Sequence, residues 1–290
     1  MAGPIDSVFQ TVASTAADVQ DSLATRRSYD ETENPSGEQQ LEADVYADQL
    51  LEDRLLGIDG VASYASEERQ GLETPDEVGT AGGELAYHVT CDPLDGSSNL
   101  KPNNAMGTII GVFEERPPAH GESIVAAAYV LYGPITTMVT AVDGTVSEYL
   151  VEDGSRELLN ENIELPEEPT VYGFGGRVPD WPAALGEYVS AVEKDRLKLR
   201  YGGAMVADIN QVLTYGGIFG YPMLADRPEG KLRLQFEGQP MGKIFADAGG
   251  ASSDGEQSLL AKQPESLHER SPVFVGSESL IADLEAAMDE

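Results

Sequence analysis

The stretch Asp92-Pro93-Leu94-Asp95-Gly96-Ser97-Ser98-Asn99 sets two acids three positions apart, with Pro between them and Gly directly after the second. On so bent a backbone both carboxylates and the intervening Leu94 carbonyl point at one spot, which is a hard-cation site in outline. Gly96 tolerates a backbone angle that other residues resist, and Ser97, Ser98 and Asn99 are helix-capping types, so the segment can leave a strand and open a helix or tight turn. The N–H groups exposed there suit a phosphate. A strand end, paired acids and an anion nest put divalent metal and phosphate side by side, as phosphoryl chemistry requires. Alone, the same residues also read as an acidic Asx/Ser turn; agreement with the rest of the chain favours the chemistry.

Upstream, residues 87–91 read as the strand that delivers Asp92. His88 and Cys91 lie on it without a partner at ligand spacing, so both read as core residues. A short apolar segment at 61–65 leads into Ser66-Glu67-Glu68, a second pair of acids at a strand end, and a two-metal site needs carboxylates of its own and a bridging one. Between the two clusters, residues 71–83 form a Gly/Glu/Thr-rich excursion expected to be a mobile loop. Nearer the N-terminus, Ile5, Val8, Phe9, Val12, Ala16, Val19 and Leu23 recur at helical spacing. A polar loop at 26–37 follows, then a second helix over about 38–56 with Leu41, Val45, Leu51 and Leu55 toward a core. Glu38, Asp44 and Asp48 flank that stripe, and Asp48 reads as part of a solvated face.

Downstream, strands dominate: 106–113, 124–131, 135–142 and 145–151, with an Asp143-Gly144 hairpin turn. They imply an antiparallel or mixed sheet that closes a first domain near residue 160, with the Glu/Pro-rich 160–169 as boundary. The second half alternates strands (171–174, 197–200, 218–221) with helices (182–192, 204–213), the rhythm of a layered α/β unit. Pro240 and Gly249-Gly250 frame another helix, Glu237 lies just before it, and residues 280–288 close the chain with a helix.

Acids outnumber bases 51 to 18, a net charge of −33 that argues against nucleic acid and against an anionic membrane surface as partners. The acids are dispersed rather than gathered in a tail, which describes a solvated acidic surface. Molar salt shortens the screening length to roughly 3 Å and removes the self-repulsion, so a high-salt cytoplasm is the expected setting. One Cys excludes an internal disulfide, and neither a signal pattern nor a long apolar run is present.

The octapeptide resembles the signature of class I fructose-1,6-bisphosphatases, within the inositol-phosphatase superfamily, whose looser signature usually has Ile and Thr at Leu94 and Ser97. The resemblance continues in order through Ser66-Glu67-Glu68, Arg200-Tyr201, Met205-Val206-Ala207-Asp208, Tyr221-Pro222, 230–234, Glu237, Pro240-Met241, Ala248-Gly249-Gly250 and 271–277. It implies an α/β (α+β) fold, a five-layer αβαβα sandwich of the sugar-phosphatase type. Residues 1–165 would carry most metal ligands and 166–290 the sugar-phosphate contacts. By resemblance, Glu67, Asp92, the Leu94 carbonyl, Asp95 and Glu237 ligate metal, two or three Mg²⁺ per site with Mn²⁺ possible, and Glu38 and Glu68 hold a further metal or its water. Asp44 and Glu68 would take the proton from the attacking water. Substrate contacts would come from Asp95, Gly96, Ser97, Ser98, Arg200, Tyr201, Met205, Tyr221 and Lys231, with Arg233 assisting on the same strand face. Hard oxygen donors without a His or Cys cluster independently favour Mg²⁺ or Mn²⁺ over Zn²⁺. Arg200 in the family reaches a neighbouring subunit's site, which implies a homo-oligomer, a tetramer by resemblance.

Two departures stand out. The Asn-Glu pair that the family usually has after the strand opening the second half is replaced by Tyr172-Gly173-Phe174-Gly175-Gly176-Arg177, which leaves Arg177 as the substitute cation for the 6-phosphate. Of the nucleotide-inhibition site of animal members only Tyr87 remains, after Ala86, so no inhibition by AMP is expected. The leading expectation is Mg²⁺-dependent removal of the 1-phosphate of fructose 1,6-bisphosphate in gluconeogenesis. The alternatives are a broader sugar- or inositol-phosphate phosphatase and a catalytically silent sugar-phosphate or cation-binding protein.

Overall fold

Side chains on a strand alternate between faces, and the apolar residues here fill both faces of the central strands, so each sheet must be covered twice. The computed structural model describes residues 3–75 and 86–289. Helix α1 (Pro4–Leu23) is followed by a two-stranded hairpin of β1 (Tyr29–Glu33) and β2 (Gln39–Leu41), and by α2 (Glu42–Leu55). An eight-stranded sheet comes next: β3 (Val61–Ser66), β4 (Leu72–Glu73), β5 (Tyr87–Asp95), β6 (Met106–Phe113), β7 (Ile124–Tyr132), β8 (Thr136–Val142), β9 (Thr145–Glu152) and β10 (Ser155–Asn160). Its order is β10-β9-β8-β7-β6-β5-β3-β4, antiparallel except for the parallel β3–β5 pair.

The second half holds β11 (Val171–Phe174), α3 (Ala183–Lys194), β12 (Lys198–Leu199), α4 (Met205–Tyr215), β13 (Gly217–Tyr221), β14 (Leu232–Arg233) and α5 (Gln239–Asp247). The chain ends with β15 (Ala251–Ser253), β16 (Arg270–Ser271), β17 (Val273–Gly276) and α6 (Glu278–Met288). A five-stranded sheet runs β12-β11-β13-β17-β15, and β14 pairs with β16 apart from it.

Three apolar clusters fill the spaces between five layers. Val8, Phe9, Val12, Leu51 and Leu55 of α1 and α2 pack with Met106, Ile110, Val112, Ala126, Ala128 and Val130 on one face of the large sheet. The alternate residues Ile109, Phe113, Ala127 and Tyr129 meet Val206, Ile209, Met241 and Phe245 of α4 and α5, together with Phe219, Val273 and Val275 of the second sheet. That sheet's other face presents Tyr172, Phe174, Ile218 and Phe274 to Leu185, Val189, Ile281 and Leu284 of α3 and α6. The result is the expected αβαβα sandwich, and its middle layer buries residues from both halves in one cluster.

Several local expectations change. Residues 26–37 are not a plain loop, because β1 pairs with β2 through Tyr29↔Leu41 and Glu33↔Gln39. Residues 38–41 therefore do not belong to the second helix. α2 starts at Glu42, where Asp44 at its third position accepts the Leu41 N–H at 2.7 Å, half of a capping box. Val45 is exposed rather than buried. Within 71–83 the chain adds β4 to β3, and residues 76–83 of that expected loop lie outside the described ones. Asp153-Gly154 repeats the left-handed turn of Asp143-Gly144 and so adds the hairpin strand β10.

Candidate active site

β5 carries Asp92 and Asp95 into a pocket of about 210 Å³ between the two sheets. Within the octapeptide, the Leu94 N–H donates to Asp92 Oδ1 at 3.0 Å and the Pro93 carbonyl accepts from Thr108 Oγ1 at 2.8 Å, so the bend is held internally and by β6. Gly96 takes a φ of 73°, and a Cβ there would lie 2.3 Å from that of Ala204, so only glycine lets the turn meet the start of α4. Ser97–Leu100 then winds into a short 3₁₀ helix. Asn99 Nδ2 donates to the carbonyls of Ala105 (3.0 Å) and Gly202 (2.9 Å), and Asp95 Oδ2 accepts the Val206 N–H at 2.7 Å. The octapeptide is thereby fastened to the N-terminus of α4, where a negative charge is favoured.

Glu67, Asp92 and Glu237 form the floor: each offers a carboxylate oxygen, and these lie within 4.8 Å of one another. All three are buried. Burial and mutual repulsion push Asp92 and Glu237 well above the ordinary carboxylate range, and burial raises Glu67 despite the neighbouring Arg233. Arg233 lines the pocket beside Lys231 and is also paired with its acids. Its side chain is buried against the acids, 3.1 Å from Glu67 and 3.2 Å from Glu38, and its backbone N–H donates to Glu237 at 2.6 Å. Glu38, drawn also by Arg270 at 3.6 Å and Arg227 at 3.8 Å, stands apart from the floor. Burial alone would raise Glu38, but Arg233, Lys231 and Arg270 outweigh it and hold it below its usual value.

On the opposite wall, Glu68 accepts from Gln40 Nε2 at 2.6 Å, and burial with Glu67 and Asp44 nearby pushes it to about 9. Burial likewise raises Asp44 to about 7, against the Leu41 N–H and the Ser97 side chain that lower it. Lys231 Nζ lies 5.2 Å from the centre of the Tyr221 ring.

Of the residues expected from sequence, Glu38, Asp44, Glu67, Glu68, Asp92, Leu94, Asp95, Gly96, Ser97, Ser98, Tyr201, Met205, Tyr221, Lys231 and Glu237 all line this one pocket. Arg200 and Arg177 do not: both are exposed, and Arg177 precedes the short turn Val178–Asp180. Asn34, Gln40 and Asp208 also line it; the contexts of Asn34 and Gln40 carry no signal stronger than polarity, whereas Asp208 ends the matching stretch Met205-Val206-Ala207-Asp208 without a role expected of it. Asp208 accepts from the Gly202 and Gly203 N–H groups and shapes the approach to α4. Asp48 is not solvated. It is buried, accepting from Tyr64 Oη at 3.0 Å and Arg69 Nε at 2.5 Å.

A five-layer αβαβα fold with an acid-floored pocket between its sheets defines a phosphatase of the sugar-phosphatase class. Residues 7–159 match the N-terminal domain of the fructose-1-6-bisphosphatase family and residues 165–289 its C-terminal domain. The chain is 61% identical to the class 1 fructose-1,6-bisphosphatase of Natronomonas pharaonis, covering 99% of this chain and 100% of that one. It is 55% identical to a class 1 fructose-1,6-bisphosphatase of Haloarcula marismortui, over 98% of this chain and 95% of that one. The crystal structure of Leishmania major fructose-1,6-bisphosphatase in holo form superposes with a TM-score of 0.91 at 28% identity, covering 99% of this chain and 95% of that one. The chain belongs to the class 1 fructose-1,6-bisphosphatase family and is an enzyme, a phosphoric monoester hydrolase. Among its described residues no helix is long and apolar enough to cross a membrane.

Proposed function

We propose that this chain removes the 1-phosphate of D-fructose 1,6-bisphosphate, releasing fructose 6-phosphate and inorganic phosphate in gluconeogenesis, with Mg²⁺ as its metal and Mn²⁺ able to replace it. The reading is carried by the meeting of Glu67, Asp92 and Glu237 within 4.8 Å in a pocket also lined by Ser97, Tyr221 and Lys231. Three buried carboxylates so close repel one another, and Arg233 alone does not neutralise them, so the donor set fits hard divalent cations. Glu67, Asp92, the Leu94 carbonyl, Asp95 and Glu237 would hold two or three Mg²⁺, with Glu38 and Glu68 on the further one. Bound there, Mg²⁺ supplies positive charge to the phosphoryl oxygens and the departing alkoxide.

The chain's own residues do the rest. Glu68 and Asp44 accept the proton of the attacking water, and Glu38 helps to hold that water. Asp95, Gly96, Ser97 and Ser98 cradle the transferring phosphate. Lys231, Tyr201, Tyr221 and Met205 receive the sugar and its unreactive phosphate. Arg200, exposed on its own subunit, serves the site of a neighbouring copy in a homo-oligomer, a tetramer by resemblance. Residues 1–165 thus supply most metal ligands and 166–290 most sugar contacts, in a high-salt cytoplasm.

Phosphate release from fructose 1,6-bisphosphate, sugar monophosphates and inositol phosphates, with and without Mg²⁺ in molar KCl, tests this. Strong preference for the bisphosphate and dependence on Mg²⁺ are expected. One observation favours the broader phosphatase: Arg177 and Arg200 lie outside the pocket, so the sugar end has few cations of its own. Equal release from inositol monophosphates would replace the narrow reading with that one.

A further inference from the structure

Glu67 and Glu68 leave the same turn in different directions, Glu67 toward the acid floor and Glu68 toward Gln40 and Asp44. The near end of the turn is held by the sheet, where the Glu67 N–H donates to the Cys91 carbonyl at 3.0 Å. Its far end is held by Arg69. The guanidinium donates through Nε to Asp48 at 2.5 Å and through Nη2 to Gln49 at 3.1 Å, and Nη2 lies 2.6 Å from Glu52. It thereby spans a full turn of α2, one turn after Asp44, so one helix carries both Asp44 and the anchor of the turn that bears Glu68. From the other side, His268 Nε2 meets the Arg69 carbonyl at 2.7 Å across 199 residues of sequence. A carbonyl only accepts, so the ring proton sits on Nε2. The imidazole rests against the Phe236 ring, with centroids 5.2 Å apart, next to Glu237. No role in the reaction proposed above uses Arg69, Asp48 or His268.

We propose that Arg69 and His268 are positioning residues: clamped to α2 through Asp48 and to the Phe236 segment through His268, the turn is fixed so that Glu68 faces Asp44. This rests on the reading of Glu68 as proton acceptor. A general base works only within hydrogen-bond reach of its proton, and groups that orient a site's direct participants are typically worth roughly 10- to 100-fold in activity. Breaking either anchor lets Glu68 drift while the substrate contacts on the other wall stay in place, so turnover suffers and substrate affinity does not.

The test compares kcat and KM for fructose 1,6-bisphosphate at saturating Mg²⁺ in molar KCl, with circular dichroism as the check on folding. Arg69→Met is expected to lower kcat roughly 10- to 100-fold with KM within about twofold, and Arg69→Lys to recover part of the loss. Adding Asp48→Asn to Arg69→Met should cost little more, because both cut one tether. Should Arg69→Met fail to fold, the second anchor answers alone: His268→Ala slows turnover, and His268→Gln, whose amide can donate to the same carbonyl, restores it. A folded Arg69→Met or His268→Ala with parental kcat overturns the inference, as does an equal loss in His268→Ala and His268→Gln. Glu68→Gln separates the two levels. If it is slow while Arg69→Met is normal, only the positioning idea falls; if it keeps parental turnover, the proton-acceptor reading falls and takes this one with it.

Discussion

The floor of the pocket and the rim proposed to face the sugar solve the same problem, holding charge beside charge, in opposite ways. The floor gathers Glu67, Asp92 and Glu237 in the interior, where burial raises all three and Glu67 raises the other two further, and Arg233 intrudes as an internal cation. The rim leaves Arg200 and Arg177 exposed outside the pocket and brings Lys231, against Tyr221, into it together with the half-exposed Tyr201. A buried charge is strongly coupled to its neighbours, whereas an exposed one is screened. The floor therefore should not tolerate substitution, and the rim should respond in proportion to what each residue touches.

The comparison breaks most readily at the floor. Asp92→Asn should abolish turnover and the response to Mg²⁺ together, going beyond the roughly 10- to 100-fold expected of residues that only support ligands. Measurable turnover that still saturates with Mg²⁺ would remove Asp92 from the ligand set. On the wall above, Glu68→Gln and Asp44→Asn should keep substrate and the Mg²⁺ held by the floor but turn over roughly 10² to 10⁴ times more slowly. Near-normal rates in both would return these acids to structural roles. At the rim, Arg200→Ala should raise KM roughly 10-fold or more with kcat little changed, as befits a charged contact to an unreactive phosphate. Mixing it with inactive Asp95→Asn subunits should restore some activity, and verified mixed oligomers without recovery would count against a shared site.

A smaller effect concerns the metal-free protein. Asp44 and Asp95 titrate at about 7 in the fold against 3.8 for the free side chain, so between roughly pH 4 and pH 7 the folded chain holds more protons than the unfolded one. Its stability should then fall as pH rises through that window, and Mg²⁺ should reverse the loss at pH 7. A metal-free melting temperature that climbs from pH 5 to pH 7 would contradict this sign. The smallest effect belongs to Arg177→Ala, where an exposed side chain outside the pocket predicts less than about a twofold change in KM.

What could be read from sequence follows the same division. The floor was legible because Asp92 shares with Asp95 a turn whose Pro and Gly announce its shape, and because strands such as Met106–Phe113 are apolar but for Thr108. The hairpin β1–β2 was not, since Tyr29–Glu33 is a polar strand of a small separate sheet and lacks the alternation that one buried face imposes. Leu41 looked helical because it keeps step with Val45, although pairing with Tyr29 fixes it as extended. Asp48 and Arg233 defied composition for a common reason. Each is a charge whose burial depends on a partner distant in sequence, Arg69 for one and Glu38 and Glu67 for the other, and no local pattern announces such a partner.

Arg227, Lys231, Arg233 and Arg270 all act on Glu38, a concentration of cations in a chain of net charge −33. A bisphosphate approaching from solvent therefore meets repulsion at long range and attraction only at the pocket mouth. Most enzymes with charged substrates lose capture rate as salt is added, because salt screens a field that steers the ligand inward. Here the long-range field points the wrong way, and at molar salt, with a screening length of roughly 3 Å, it disappears while the contacts at the mouth survive. The encounter between enzyme and substrate should quicken as ionic strength rises, which makes salt a participant in the kinetics of capture and not only a condition of folding.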